Sequence, residues 1–144
     1  GWVEVSVPRP GGGSFDARLF YPATGSGQGA TYEASGAPYP AVSFGHGWIT
    51  AVTRYQSTLE HLASWGYFVI ASKSYGGLFP DHGAFADDLR WCLTYLEDQD
   101  ADPGSWLHEQ VDTAAFGVSG HSMGGGASIL AAESYATDGA TTPS

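Results

Sequence analysis

The feature that most constrains the fold is a serine with a glycine two residues to either side, Gly120-His121-Ser122-Met123-Gly124, which matches the pattern G-x-S-x-G. The preceding residues 113–118 are small, apolar and β-branched and predict a buried strand, while residues 127–133 predict a helix. A strand that turns sharply into a helix leaves no room for side chains beside the turn, which explains the glycines. The sequence therefore predicts a strand, a tight turn with Ser122 at its apex, and a helix.

Ser122 is the candidate nucleophile, because such a turn leaves its Oγ exposed. The helix that begins at Met123 directs free backbone N–H groups and the positive end of its dipole at the same point. An oxyanion formed there would be stabilised, so the backbone N–H of Met123 is a candidate oxyanion donor. A glycine-serine loop without function is the alternative in a chain with 21 glycines. The flanking strand and helix favour the nucleophile.

Composition narrows the class of protein. A chain of 144 residues with 42% hydrophobic and 14% aromatic residues can build one compact domain with its own core. The net charge of −10 repels phosphate backbones, so nucleic acid is not an expected partner. No apolar run is long enough to span a membrane. The single cysteine, Cys92, cannot form an intrachain disulfide and is predicted to be buried. No cysteine-histidine cluster with zinc spacing and no phosphate-binding glycine motif occurs, so we expect no metal and no cofactor.

Strands and helices alternate along most of the chain. Residues 1–22 contain two strands with period-two alternation, predicted as an antiparallel pair, and residues 22–38 form a loop. Residues 39–133 give strands at 40–45, 67–71 and 113–118 and helices at 54–65, 83–99 and 127–133. The polar residues 134–144 are predicted to be an exposed tail and a cleavage site. This order predicts an α/β fold with a mostly parallel, twisted sheet and helices on both faces.

Three loops are expected to meet at one end of that sheet. Ligands of open α/β sheets bind beyond the carboxyl ends of the strands. His46-Gly47-Trp48, the loop around Tyr75, and Ser122 each follow such a strand. The sequence therefore predicts a single cleft formed by these three segments.

Four segments carry a resemblance to a known superfamily: Phe44-Gly45-His46-Gly47-Trp48, residues 62–70, residues 111–113 and residues 120–126. From about Val7 to Ala132 the chain resembles an α/β-hydrolase, within the dienelactone-hydrolase-like group that holds bacterial cutinases and polyester (PET) hydrolases. The resemblance implies a secreted serine carboxylic-ester hydrolase that acts through a Ser-His-Asp triad and an acyl-enzyme. The absence of an initiator methionine also suggests secretion.

The resemblance also implies roles for individual residues. Ser122 would be the nucleophile, and the backbone N–H groups of Trp48 and Met123 would form the oxyanion hole. The side chains of Trp48 and His121 would contact the substrate. A tryptophan that caps the core and a spacer without a special role are the alternatives for these two.

Two departures from the family pattern leave the substrate open. Polyester hydrolases often have Tyr or Phe at the position of Trp48, and they usually lack the preceding His46-Gly47 pair. A lipid esterase of the platelet-activating-factor acetylhydrolase type is the alternative enzyme. A hydrolase-like binding module without catalysis is the alternative from another class.

The sequence contains no evident base for the serine. In this fold the acid and then the histidine follow the nucleophile along the chain. Only two acidic residues, Glu133 and Asp138, and no histidine follow Ser122; the five histidines are His46, His61, His82, His108 and His121. We therefore expect the chain to be the N-terminal part of a hydrolase domain, with the C-terminal strands absent. The expected partners are an ester substrate and a C-terminal fragment of the same protein that supplies Asp and His.

Overall fold

The first two strands form a hairpin at one edge of the sheet. A computed structural model describes residues 1–138. Strand β1 (Trp2–Pro8) pairs antiparallel with β2 (Ser14–Phe20), with Val5 opposite Ala17. The predicted pairing is confirmed. The alternation of apolar and polar residues explains this pairing. Every second residue of β2 packs into the core, while the residues between them lie on the other face of the sheet.

The remaining strands form the part of the sheet that carries the loops of interest. They are β3 (Tyr39–Gly45), β4 (Phe68–Ser72) and β5 (Val111–Gly120), and the strand order is β1-β2-β4-β3-β5. Strand β3 is parallel to both β4 and β5, whereas β2 is antiparallel to β4. The sheet is therefore mixed, and its parallel half brings the carboxyl ends of β3, β4 and β5 to one edge.

Helices cover both faces of the sheet, as predicted. A 3-10 turn (Val52–Tyr55) leads into α1 (Gln56–Ser64), and two longer helices follow, α2 (His82–Ala101) and α3 (Met123–Asp138). Strand β4 is buried throughout, and its residues alternate between the two layers. Val69 and Ala71 pack with Leu59 of α1. Ile70, on the opposite face, packs with Leu93 of α2.

Two of the boundaries that differ from the prediction have a clear physical reason. The first helix begins at Gln56, because residues 52–55 form a tighter turn in which the Arg54 N–H donates to the carbonyl of Ala51 at 3.0 Å. Strand β5 begins at Val111, two residues before the predicted start, because Val111 pairs with Tyr39 ahead of a register shift in β3. Both differences depend on tertiary pairing that local residue patterns do not encode.

Helix α3 is longer than predicted and extends to Asp138. Residues 134–138 therefore continue the helix instead of starting the exposed tail. Residues 139–144 lie outside the described residues, and the cleavage site in this segment stays a prediction.

A buried ion pair ties α2 to the first hairpin. Asp88 of α2 is 1% exposed and accepts hydrogen bonds from both Nε and a terminal nitrogen of Arg9, at 2.8 and 2.6 Å. At its start, α2 is capped by Asp81, whose carboxylate accepts from the Ala84 N–H at 3.0 Å.

Across residues 1–138 the structure contains no helix with the length and hydropathy of a bilayer-spanning segment. Cys92 is fully buried in α2, as predicted.

Candidate active site

Ser122 lies at the apex of the predicted turn. Strand β5 ends at Gly120 and α3 begins at Met123. The serine has φ +54°, in the left-handed region that costs a residue other than glycine about 1–2 kcal/mol. It is exposed, and its Oγ makes no hydrogen bond to residues 1–138. Strain of this kind concentrates at functional sites, so Ser122 stays the candidate nucleophile.

The glycines around Ser122 allow close backbone packing. A Cβ atom at Gly124 would overlap the carbonyl oxygen of Gly45, and one at Gly120 would overlap the carbonyl of Gly124. A Cβ at Gly45 would lie 2.8 Å from the Cα of Gly124. The His121 N–H also donates to the Gly45 carbonyl at 3.0 Å. The end of β3 is therefore in direct backbone contact with the turn. The motif predicts the need for Gly120 and Gly124, but it contains no signal for Gly45.

The loop after β3 contacts the loop after β4 through Trp48. A turn closes when the Thr50 N–H donates to the Gly47 carbonyl at 3.1 Å, and Ile49 takes a positive φ of +49°. The Trp48 side chain is 56% exposed, and its Nε1–H donates to the Leu78 carbonyl at 3.1 Å. The two loops meet at the edge where the sequence predicts a cleft, and the side chain of Trp48 joins the first loop to the second.

The side chain of His121 is directed at the first helix. Its Nδ1 lies 2.9 Å from the Tyr55 hydroxyl, which also accepts the Gly47 N–H at 3.0 Å. Tyr55 falls within the predicted helix 54–65, and its ring packs against Phe44, with centroids 5.0 Å apart. The hydroxyl contacts are a feature that sequence reasoning missed. The available signal was that a tyrosine on an otherwise apolar face ends in a hydroxyl, which usually finds a hydrogen-bond partner.

None of the five histidines is hydrogen-bonded to Ser122 in the described part of the chain. His46 is 1% exposed, and its ring nitrogens lie 2.8 Å from the carbonyl oxygens of Gly47 and Ser74, so it links two loops. His61 and His82 are exposed on helices. His108 lies 2.8 Å from the carbonyl of Asp100, in the connector before β5.

The site contains no grouping suited to a metal. Within residues 1–138, no three side chains of His, Cys, Asp or Glu are placed to hold an ion. A cavity of about 310 Å³ lies between the loops after β3 and β4 and is lined in part by His46, Ile49 and Lys73. Neither Ser122 nor Met123 lines it, so this cavity is separate from the serine.

Comparisons with known proteins agree with this fold. A ferulic acid esterase from Streptomyces cinnamoneus matches with a TM-score of 0.68 and 21% identity, over 93% of this chain and 55% of that chain. An esterase from Pyrobaculum calidifontis matches with a TM-score of 0.69 and 21% identity, over 98% of this chain and 42% of that chain. A thermophilic carboxylesterase cloned from a metagenomic library matches with a TM-score of 0.69 and 22% identity, over 96% and 42%.

These likenesses confirm the predicted α/β-hydrolase fold. The chain spans between 42% and 55% of the length of these three structures. A comparison with curated proteins gives no match. The profile of the PET hydrolase-like family matches residues 7–144, which is nearly the whole sequence. The chain belongs to the PET hydrolase-like family.

Proposed function

We propose that this protein hydrolyses carboxylic esters, with Ser122 as the nucleophile. The observation that carries the proposal is the conformation of Ser122, which combines a φ of +54° with an exposed Oγ at the start of α3. A serine that only connects a strand to a helix has no need of this strain. Family membership supports the same chemistry.

The proposed reaction is acyl transfer to water. A histidine takes the proton of Ser122 Oγ as this oxygen attacks the ester carbonyl carbon, and the carbonyl oxygen becomes an oxyanion. The backbone N–H groups of Trp48 and Met123 donate to this oxyanion, each worth about 3 kcal/mol. The histidine then protonates the leaving alcohol, and the C–O bond to it breaks. Water, deprotonated by the histidine, attacks the acyl-serine; the bond from the acyl carbon to Oγ then breaks, the histidine returns the proton to Oγ, and the carboxylic acid leaves.

We further propose that the histidine and its acidic partner come from a polypeptide segment outside these 144 residues. The positions of the histidines support this: no described histidine is hydrogen-bonded to Ser122, and none follows it in the sequence. The chain also spans only about half the length of the matched esterase structures, at most 55%. Mass spectrometry of the purified protein tests this proposal: a second polypeptide that stays bound would support it, and catalysis by the 144-residue chain alone would overturn it.

The proposed substrate carries an apolar or aromatic group beside its ester bond. Four large apolar side chains are exposed on the loops after β3 and β4, namely Trp48, Ile49, Leu78 and Phe79. Phe79 is 96% exposed, and the Trp48 side chain is hydrogen-bonded to the backbone of Leu78, so the two loops that carry these apolar side chains are in contact. Exposed apolar patches of this kind mark binding sites for apolar ligands.

Ester turnover by matched serine variants tests the function. We expect Ser122→Ala to abolish hydrolysis of short nitrophenyl esters, while Ser119→Ala, at an exposed position of β5 three residues earlier, retains it. Comparison of nitrophenyl esters with polyester films then separates a small-ester hydrolase from a polyester hydrolase. An absence of turnover and of fluorophosphonate labelling in folded wild type that contains the second polypeptide would instead indicate a non-catalytic binding module.

A further inference from the structure

We propose that Tyr55 is a positioning residue for the oxyanion hole. Its hydroxyl joins the segment after β3 to the turn at Ser122, and so fixes the distance between the two proposed backbone donors. This inference rests on the proposed function. Tyr55 does not touch the reacting atoms; it acts through Gly47 and His121.

The two contacts of the hydroxyl lie one and two residues before the residues that carry the proposed donors, Trp48 and Met123. Gly47, whose N–H donates to the hydroxyl at 3.0 Å, directly precedes Trp48. His121, whose Nδ1 lies 2.9 Å from the same oxygen, directly precedes Ser122. A single oxygen atom therefore links the residue before one proposed donor to the residue before the nucleophile. A shift of either segment would stretch one of these two hydrogen bonds.

The hydrogen-bonding capacity of a phenol fits this arrangement. A tyrosine hydroxyl has one proton to donate and can also accept. It accepts from Gly47, because a backbone N–H can only donate. It can donate its own proton to Nδ1 of His121 in the tautomer whose proton is on Nε2, or accept a second hydrogen bond from Nδ1–H in the other tautomer. The hydroxyl thereby fixes the ring orientation of His121 beside the proposed cleft.

The surroundings of Tyr55 hold the hydroxyl in place. The ring packs on Phe44 of β3, with centroids 5.0 Å apart, and the residue ends the 3-10 turn that precedes α1. On the other side, Gly47 has no side chain, and a Cβ there would lie 2.9 Å from Nδ1 of His121 and 3.1 Å from the Tyr55 hydroxyl. Glycine at this position is therefore what permits the three groups to approach so closely.

Loss of the hydroxyl leaves the Gly47 N–H without its hydrogen-bond acceptor. It also removes the link between the segment after β3 and the turn at Ser122, so the two can move relative to each other. Preorganised donors lose their effect when they are displaced from the position of the oxyanion. We expect a variant without the hydroxyl to lose transition-state stabilisation equivalent to one hydrogen bond, which is about a tenfold fall in kcat. Binding of the ground-state ester does not use this bond, so KM should stay within about twofold.

The test compares wild type, Tyr55→Phe and a matched control, Tyr67→Phe, in the protein as purified. Tyr67 is 37% exposed and lies just before β4, away from the turn at Ser122. Kinetics on a short nitrophenyl ester give kcat and KM, with active molecules counted by fluorophosphonate titration. Nitrogen NMR of the His121 ring reports the hydrogen bond at Nδ1 without any need for turnover, and thermal unfolding reports stability.

We expect Tyr55→Phe to lower kcat per active serine about tenfold at an unchanged KM, and to shift the Nδ1 resonance of His121, while Tyr67→Phe changes neither. A kcat per active serine equal to that of wild type would overturn the inference, even if the melting temperature falls, because Tyr55 would then be structural only. An unchanged Nδ1 resonance would overturn it as well. A wild type without ester turnover would overturn the proposed function itself, and this result is distinct from the other two.

Discussion

Replacement of Gly124 by alanine tests the close contact between β3 and the turn at Ser122. A Cβ at this position would overlap the carbonyl group of Gly45 and lie 2.7 Å from the carbonyl oxygen of His46. These atoms belong to the backbone and cannot rotate away, so roughly 1 Å of movement is needed between two packed elements. Overpacking of a core costs about 1–3 kcal/mol with side chains alone. We therefore expect a loss above about 3 kcal/mol for Gly124→Ala.

Gly126→Ala is the matched control, because it makes the same chemical change two residues further along α3. Nothing lies within 4 Å of a Cβ at Gly126, and the residue is exposed. Alanine is favoured over glycine in a helix by about 0.5–1 kcal/mol, so this variant should be stabilised. Thermal unfolding followed by circular dichroism measures the melting temperatures of Gly124→Ala and Gly126→Ala. At about 3 °C per kcal/mol for a chain of this size, we expect a fall of roughly 10 °C for the first and a rise of about 2 °C for the second. Equal melting temperatures for the two variants would refute the steric reasoning.

Three further predictions address the serine, an ion pair and the cysteine. Ser122→Gly should unfold at a higher temperature than Ser122→Ala by an equivalent of about 1 kcal/mol, because glycine adopts φ +54° without strain. Burial by itself raises the pKa of Glu4, but hydrogen bonds from Arg18 and Lys73 outweigh it and lower the pKa below its usual 4.5. Glu4→Gln should therefore lower stability above pH 4.5, by less than about 1 kcal/mol because solvent screens the exposed Glu4 carboxylate, and the difference should disappear as the pH falls through the lowered pKa of Glu4. Burial raises the pKa of the Cys92 thiol, so a thiol reagent should modify it only after denaturant unfolds the protein.

Each of these predictions has a result that would contradict it. For the serine, an alanine variant as stable as the glycine variant would mean that the turn relaxes in solution. For the ion pair, urea unfolding of wild type and Glu4→Gln at several pH values is the assay, and a stability difference that grows toward low pH would show the opposite sign of linkage. For the cysteine, rapid modification in the absence of denaturant would show that α2 opens locally.

The steric rules of glycine and the alternation of apolar residues predicted most of the fold. The strand, turn and helix around Ser122 follow from local geometry, because Gly120 and Gly124 are required by the turn itself. The both-sided burial of β4 follows from its continuous apolar sequence. The pairing of the first two strands follows from their alternation. In each case the physical cause acts between residues that are close in the chain.

The features that the sequence did not predict depend on contacts between distant segments. The hydroxyl of Tyr55 bridges Gly47 and His121, which is 66 positions further along the chain, and no local pattern marks that role. Gly45 is required only because Gly124 packs against it. The contacts of His46 with the carbonyl groups of Gly47 and Ser74 join two loops, and no local pattern marks them either. Such contacts become visible only when the strand order is known.

The most direct test of the central claim is mass spectrometry after treatment with a fluorophosphonate, which reacts with activated serines. The protein is labelled while folded, then denatured, weighed intact and mapped by peptide digestion. We predict one adduct, located on Ser122, which is lost in Ser122→Ala and retained in Ser119→Ala. Folded wild-type protein that contains the second polypeptide and yet remains unlabelled, or an adduct that persists in Ser122→Ala, would contradict the assignment of Ser122 as the nucleophile.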